Sequence, residues 1–464
     1  MLKEKGPYHH WSDELKLWEE INIKQVSMKS RDIFHQLLWN HIEEIRKWGL
    51  EEQAENLRIK IGNSCVHDTI ANSVVAGLVN SKFTDTFNSL DEYLPVPNGY
   101  MINLRTGQMT ERDYKCWFTW EIPTEFKGIE FWRSHPRFIA FIQKFCSEDG
   151  DLLERLMITL GYCITGLNNE QMAFVLYNEG SNGKSTLLEL LRLVFGTKIA
   201  DEVNSLVITG TNKSGPSPET MDLMDKRIAF ILELSKNDKV NMSKFKNLTG
   251  DASVRARNLY EKMSSFRNHA KLLLATNDKM KIDATAQSEI RRIFSIPCRA
   301  LFVKTQQEFQ EKSSLIGQPG VKYKKVYLID DKVTEDLKDT TFHQAFLSFC
   351  VEGAMRYFHT GFEKWFVNGN EDVIDSSARD FFNNFFNERI VIDGSAEKTS
   401  VVKAYEQYLK AFNSSGRYAK GADDRDFFIR MMRSKSVHMT ENSEYFTNIQ
   451  LKQIQNSFLQ PMAL

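Results

Sequence analysis

Residues 173–195, AFVLYNEGSNGKSTLLELLRLVF, hold the groups that could grip a chain of phosphates. The apolar run 173–177 leads into a loop containing Gly180, Ser181, Asn182 and Gly183, and Lys184, Ser185 and Thr186 then open an amphipathic stretch. A strand, a glycine-containing loop and a helix in that order turn backbone N–H groups and the positive helix end toward an anion. Lys184 adds a point charge, and the Ser185 hydroxyl is a candidate ligand for Mg²⁺, so the chemistry expected is binding of a nucleoside triphosphate. The strict spacing GxxxxGK[ST] asks for glycine at position 178, where this chain has Asn178.

Hydrolysis of the terminal phosphate needs more. Glu233 follows the apolar run 228–232, and a carboxylate at a strand end can polarise the attacking water. The preceding residue, Leu232, is not acidic, so Mg²⁺ would have one protein ligand fewer than in a paired-acid site. Asn277 closes the run KLLLATN, where a polar strand tip can sense the γ-phosphate and orient water. Arg291 and Arg292 precede a last apolar run, and arginine is the residue that stabilises developing phosphoryl charge, in some cases from a neighbouring subunit.

These residues need a scaffold that brings strand ends together. The apolar runs 173–177, 228–232, 272–275 and 293–296 are short and bounded by turns or helical stretches, which predicts an α/β fold with a largely parallel sheet over 170–300. Upstream, residues 9–80 read as helices. Ser30 is the expected N-cap of a stripe running from Ile33 to Trp48, with Gly49 closing it, and Val66, Ile70, Val74 and Leu78 form a second stripe. Asn98-Gly99 and Thr106-Gly107 flank short apolar runs, including 116–120, and predict small hairpins. Helical period returns over 135–167 and again over 342–357, 210–218 reads as a loop, and the polar stretch 366–380 reads as a hinge. The organisation expected is a mainly helical N-terminal domain over 1–125, a motor-like α/β domain over 126–365, a linker over 366–380 and a small domain over 381–464.

Composition bounds the function. The 464 residues carry 60 Lys+Arg against 61 Asp+Glu, a net charge of −1, which excludes a uniformly basic nucleic-acid coat but not a local basic channel. No run of 18 apolar residues exists, so no membrane partner is expected, and the N-terminus lacks a secretory h-region. The six cysteines are dispersed without a CxxC pair, which argues against zinc and disulfides and for a reducing compartment, a cytoplasm or a viral replication site.

The order of these signals resembles one family. The phosphate loop at 178–186, the acidic strand end at 233, the segment LTGDASVRARNLYEKMSSF at 248–266, KLLLATN at 271–277 and RRI at 291–293 are similar to superfamily 3 helicases. The closest likeness is to their poxvirus and phage-satellite primase-helicase branch. The stretches PNGYMINLRTGQMTERD, LGYCITG and VVKAYEQYLKAF are similar to that branch outside the motor. The resemblance implies an AAA+ P-loop core, a hexameric ring, a winged-helix-like C-terminal domain, and ATP with Mg²⁺ at Lys184 and Ser185. It implies Glu233 as catalytic carboxylate, Asn277 as sensor, and Arg291 or Arg292 as an arginine finger reaching the next subunit, with Arg292 favoured.

Two regions could meet DNA. In 248–267, Arg255, Arg257, Lys262 and Arg267 are interleaved with Tyr260 and Phe266, a mixture suited to a single strand, and the resemblance makes this a hairpin in the ring's pore. Residues 401–440 hold eight Lys/Arg against four Asp/Glu, and a helix over 424–435 would place Phe427, Phe428, Met431 and Met432 inward and Arg430 and Arg433 outward, as on a recognition helix. A primase needs a metal-binding carboxylate cluster, and the one close pair, Asp149 and Asp151, reads as a helix-capping turn. Priming would then come from a separate primase or polymerase, or this is the helicase part of a longer chain; Met1 favours the former. The main expectation is a replicative DNA helicase of a virus or mobile element. The alternative is an initiator that binds and melts double-stranded origin DNA with ATP as an assembly switch.

Overall fold

The structure, a computed structural model, describes residues 8–61, 69, 87–210, 218–232, 234, 239–250, 253–256, 264–277, 280–282, 292–362, 377–392, 398–414, 425–435, 437–440, 444–447 and 449–451. The first described element is a hairpin rather than the expected helix: β1 (Tyr8–Ser12) pairs antiparallel with β2 (Leu17–Ile21). Trp11, Trp18 and Phe87 supply the reason, since aromatic residues favour a pleated surface and Trp18 stacks on Trp117 at 4.9 Å between centroids. Helix α1 (Ile23–Lys47) then starts upstream of the expected cap. Asn22 accepts from the Gln25 backbone while the Gln25 side chain returns to the Asn22 N–H, a capping box that leaves Ser30 inside the helix. Of the stripe read along α1, Ile42 is buried against α2 (Glu51–Ile61), whereas Ile33 is exposed and Trp48 lies just past the helix with its ring in solvent. Most of the second stripe lies outside the described residues.

Next come β3 (Tyr93–Val96), β4 (Tyr100–Asn103) and β5 (Met109–Glu111), a three-stranded antiparallel sheet turning at Asn98-Gly99 and Thr106-Gly107 as read. The run 116–120 is not a strand. Tyr114–Cys116 is one turn of 3-10 helix, Trp117 is left-handed at φ 55°, and the Phe118 carbonyl accepts from the Trp18 N–H at 2.9 Å. Leu94, Ile102, Trp120 and Ile122 belong to the same hydrophobic cluster as the elements that follow, so the boundary drawn at 125 cuts through one core.

Helices α3 (Pro136–Phe145) and α4 (Gly150–Cys163) lead to β6 (Ala173–Tyr177), α5 (Lys184–Phe195), β7 (Ala200–Glu202) and β8 (Ile228–Leu232). A short pair, β9 (Lys239–Val240) with β13 (Lys281–Ile282), and a hairpin of β10 (Ser253–Ala256) and β11 (Ser264–Arg267) flank the remaining core strands. Those are β12 (Lys271–Thr276) and β14 (Ile293–Pro297). All four apolar runs are strands. They join β7 in one parallel sheet of order β14-β6-β12-β8-β7. Alternation along β6 sends Phe174 and Leu176 to one face and Ala173 and Val175 to the other, and each face has its own apolar cluster.

The first face is closed by α4 and the long helix α6 (Thr340–Thr360). They meet backbone to backbone: a Cβ on Gly161 would lie 2.0 Å from the Ala354 nitrogen, and one on Gly353 would lie 2.0 Å from the Met157 carbonyl. Only glycine permits that approach, which explains Gly161 in the stretch LGYCITG. Beyond the sheet, β15 (Ala300–Val303) pairs parallel with β16 (Lys325–Leu328).

Residues 363–376 lie outside the described residues, and 377–380 of the expected linker are already helical, in α7 (Ser377–Arg389). The C-terminal unit continues with β17 (Ile390–Ile392), β18 (Thr399–Ser400), α8 (Val401–Ser414), α9 (Arg425–Ser434), β19 (His438–Met439), β20 (Tyr445–Thr447) and β21 (Ile449–Leu451). Its core of Phe382, Tyr408, Phe428, Met432 and Phe446 is separate from that of the large sheet.

Candidate phosphate-binding site

The phosphate loop sits at the carboxyl end of β6. The chain crosses from β6 toward β7 on one side and returns to β14 on the other, and a parallel sheet gathers ligands at such a switch point. Gly180 at φ 98° and Gly183 at φ 82° make the turn, and Gly183 leads into α5 without a capping side chain, so N–H groups of its first turn remain for a ligand. Asn178, where the strict spacing has glycine, also has positive φ, at 143°. Its side chain supplies the compensation: Nδ2 donates to the carbonyls of Cys298 and Lys322, both at 3.2 Å, and Oδ1 accepts from the Glu179 N–H. Asn182 is buried and donates to the Asn178 carbonyl at 3.0 Å.

Lys184 is buried, with Nζ donating to the Asn178 carbonyl at 2.6 Å and to Asn277 Oδ1 at 2.8 Å. Two residues 93 apart in sequence thus meet at the loop, Asn277 arriving from the tip of β12. A cavity of about 420 Å³ opens there. It is lined by residues 180–186, by Leu232 at the end of β8 and by Asn277. Glu233 follows Leu232 but lies outside the described residues, as do Arg291, Arg257 and Lys262.

The rest of the lining was not legible in the motif. It comes from α3, through Arg137, Phe141 and Lys144, from β15 and β16, through Phe302 and Leu328, and from the residues after β16, through Asp330 and Asp336. Arg137 donates to Asp330 at 2.7 Å and to both Asp336 oxygens, joining elements almost 200 residues apart. Those bonds hold the Arg137 guanidinium above, and the Asp330 carboxyl below, their usual titration ranges. No local pattern marks these residues, because neither segment lies between the loop and its strand-end partners.

Arg292 is elsewhere. It precedes β14, whose first residue pairs with the first residue of β6, so it stands at the end of the sheet opposite the phosphate loop. Its guanidinium donates to Thr249 Oγ1 at 3.1 Å and to Gln171 Oε1 at 3.2 Å. In the β10–β11 hairpin, Arg255 is exposed while Val254 and Ala256 turn inward. Arg267, at the hairpin's root, is ion-paired with Asp91. On α9, Phe428, Met431 and Met432 are buried and Arg433 is exposed; Arg430 is on the same helix, with its side chain outside the described residues. Asp149 caps α4 by accepting from the Leu152 N–H at 3.2 Å, as its spacing with Asp151 indicates. Among the described residues no group of three His, Cys, Asp or Glu could hold a metal, and no helix is long and apolar enough to cross a membrane.

A family described as D5 N terminal like matches residues 3–147, and a family of unknown function, DUF5906, matches residues 176–292. The chain is 26% identical over 297 residues to a putative helicase of Acanthamoeba polyphaga mimivirus, covering 63% of this chain and 30% of that protein. It is 27% identical over 293 residues to an uncoating factor of Monkeypox virus, covering 60% and 36%. A putative primase of African swine fever virus is 26% identical over 244 residues, covering 50% and 24%. The match therefore spans 24–36% of the length of these relatives. Among solved structures, the C-terminal region of NrS-1 aligns with a TM-score of 0.37 at 10% identity, over 78% of this chain and 83% of that one.

Proposed function

We propose, starting from a chain that is a relative of the viral primase-helicase branch, that this protein is an ATP-driven motor that moves along single-stranded DNA in the replication of a viral or mobile genome. The observation that carries the reading is the meeting of Lys184 and Asn277 at the mouth of the cavity. A lysine held by two oxygen acceptors at a helix start is placed to exchange them for phosphate oxygens. The adjacent Asn277 would then report whether the terminal phosphate is present.

The residues present suit Mg²⁺-ATP. Ser185 is exposed at the first turn of α5 and lines the cavity, Gly180 and Gly183 keep the loop narrow, and the cavity volume fits a nucleotide. The metal ion would neutralise phosphate charge, with Ser185 as its protein ligand and Glu233 positioning water. The parallel sheet with its loop at the switch point supports an AAA+ core. An arginine at the far end of that sheet suits a finger acting on a neighbouring copy, as a hexameric ring requires. The β10–β11 hairpin and the helical C-terminal unit, read as winged-helix-like, are the DNA contacts in this proposal, and a separate primase or polymerase supplies synthesis.

The test is ATP turnover with and without single-stranded DNA for wild type, Lys184→Ala and Glu233→Gln. DNA should raise wild-type turnover, and both variants should be inactive. If ATP binds but turnover stays slow whatever DNA is added, an origin-melting initiator replaces the motor. Full turnover in Lys184→Ala would place the site elsewhere.

A further inference from the structure

The end of α3 lies against the phosphate loop. A Cβ on Gly183 would sit 3.3 Å from Cδ2 of Phe145, so the helix packs on the residue that precedes Lys184. Lys144, the neighbour of Phe145, lines the same cavity as residues 180–186.

Five charged side chains line that cavity among the described residues: Arg137, Lys144, Lys184, Asp330 and Asp336. Four of them are engaged. Arg137 donates to the two aspartates, and Lys184 to the Asn178 carbonyl and Asn277. Lys144 is half-buried, and among the described residues its ammonium has no hydrogen-bond or ion-pair partner. Glu148 and Asp330 are close enough to feel its charge. Glu148 is itself taken by Lys325 and Tyr327, at 3.0 and 3.1 Å, and Asp330 by Arg137. An ammonium on the lining of a cavity of nucleotide size, with the Glu148 and Asp330 carboxylates already engaged, is placed to receive an anion.

We propose that Lys144 is a second phosphate ligand of this cavity, gripping the nucleotide's phosphate chain from the end of α3 beside the loop. The proposal rests on the reading of the cavity as a nucleotide site. It assigns α3, outside the strand-loop-helix motif, a direct part in binding. Because the end of α3 packs beside Gly183 in the loop, the phosphates assigned to Lys144 are those that ATP and ADP share.

Equilibrium binding of ATP and ADP to wild type, Lys144→Met, Lys144→Arg and Lys184→Ala tests it, with thermal unfolding as a check on folding. Methionine keeps the apolar stem and removes only the charge. Lys144→Met should weaken ATP and ADP alike by roughly tenfold, the scale of one charge-assisted hydrogen bond. Lys144→Arg should restore most of the loss, and the KM for ATP should rise with little change in kcat. Unchanged affinity in a folded Lys144→Met, beside a wild type that binds and a Lys184→Ala that does not, overturns the Lys144 assignment alone. If wild type binds neither nucleotide, the reading of the cavity itself fails.

Discussion

Lys271, the first residue of β12, is buried between Thr165 and His269, donating to both carbonyls, the second at 2.8 Å, with Nζ 5.6 Å from the Tyr162 ring centroid. Burial pushes its pKa from 10.5 down to about 7. Between those values the unfolded chain holds a proton that the folded chain has lost, so stability rises with pH, by at most about 1.4 kcal/mol per unit for one proton. The gain is capped near pH 9. There the unfolded chain's thiols ionise, whereas burial lifts Cys163 and Cys298 to about 12 and Cys146 higher still. The urea midpoint should therefore climb from pH 7 to 9 and do so less in Lys271→Met. A flat wild-type profile would mean that the amine keeps its proton. Nothing in KLLLATN shows this, since the same lysine could equally begin an exposed strand end.

The phosphate loop is an element whose departure from pattern has a local cause. At φ 143°, Asn178 occupies backbone space that glycine enters freely, and three side-chain hydrogen bonds hold it there. Asn178→Ala keeps the strained backbone and loses all three, so urea unfolding should show a loss of about 2 kcal/mol. Asn178→Gly loses the same bonds but relaxes the backbone, and should fall between alanine and wild type. If alanine matches wild type, the side chain is not what holds the loop. The N-terminal hairpin teaches a related lesson. Apolar spacing in 9–21 suits a helix, but tryptophan stacking against residues far along the chain outweighs local period.

At the scale of the molecule, the distance between the two ends of the sheet decides how Arg292 can act. The register of β14 on β6 keeps it away from its own phosphate loop, so the proposed role in hydrolysis is one exerted on another copy. Arg292→Ala should retain ATP binding and lose turnover, and mixing it with Glu233→Gln should recover part of the rate, because some interfaces then pair an intact finger with an intact carboxylate. Wild-type turnover in Arg292→Ala would pass the role to Arg291 or another residue. A modest loss of stability is expected as well, since Thr249 and Gln171 lose their guanidinium partner.

The sequence by itself determined the elements with strong local codes: four buried strands from short, largely apolar runs, the loop and helix around Lys184, the Asp149 cap, and the likeness to viral primase-helicases. Those signals are local because hydrogen-bonding period and turn chemistry act over a few residues. Only the tertiary structure decided what else lines the cavity around Lys184. Phe302, Lys144 and the Arg137–Asp330–Asp336 cluster come from segments up to almost 200 residues apart, and contact across a cavity leaves no spacing to read. The close approach at Gly161 and Gly353 is of the same kind, because which glycine is needed depends on the helix that packs on it.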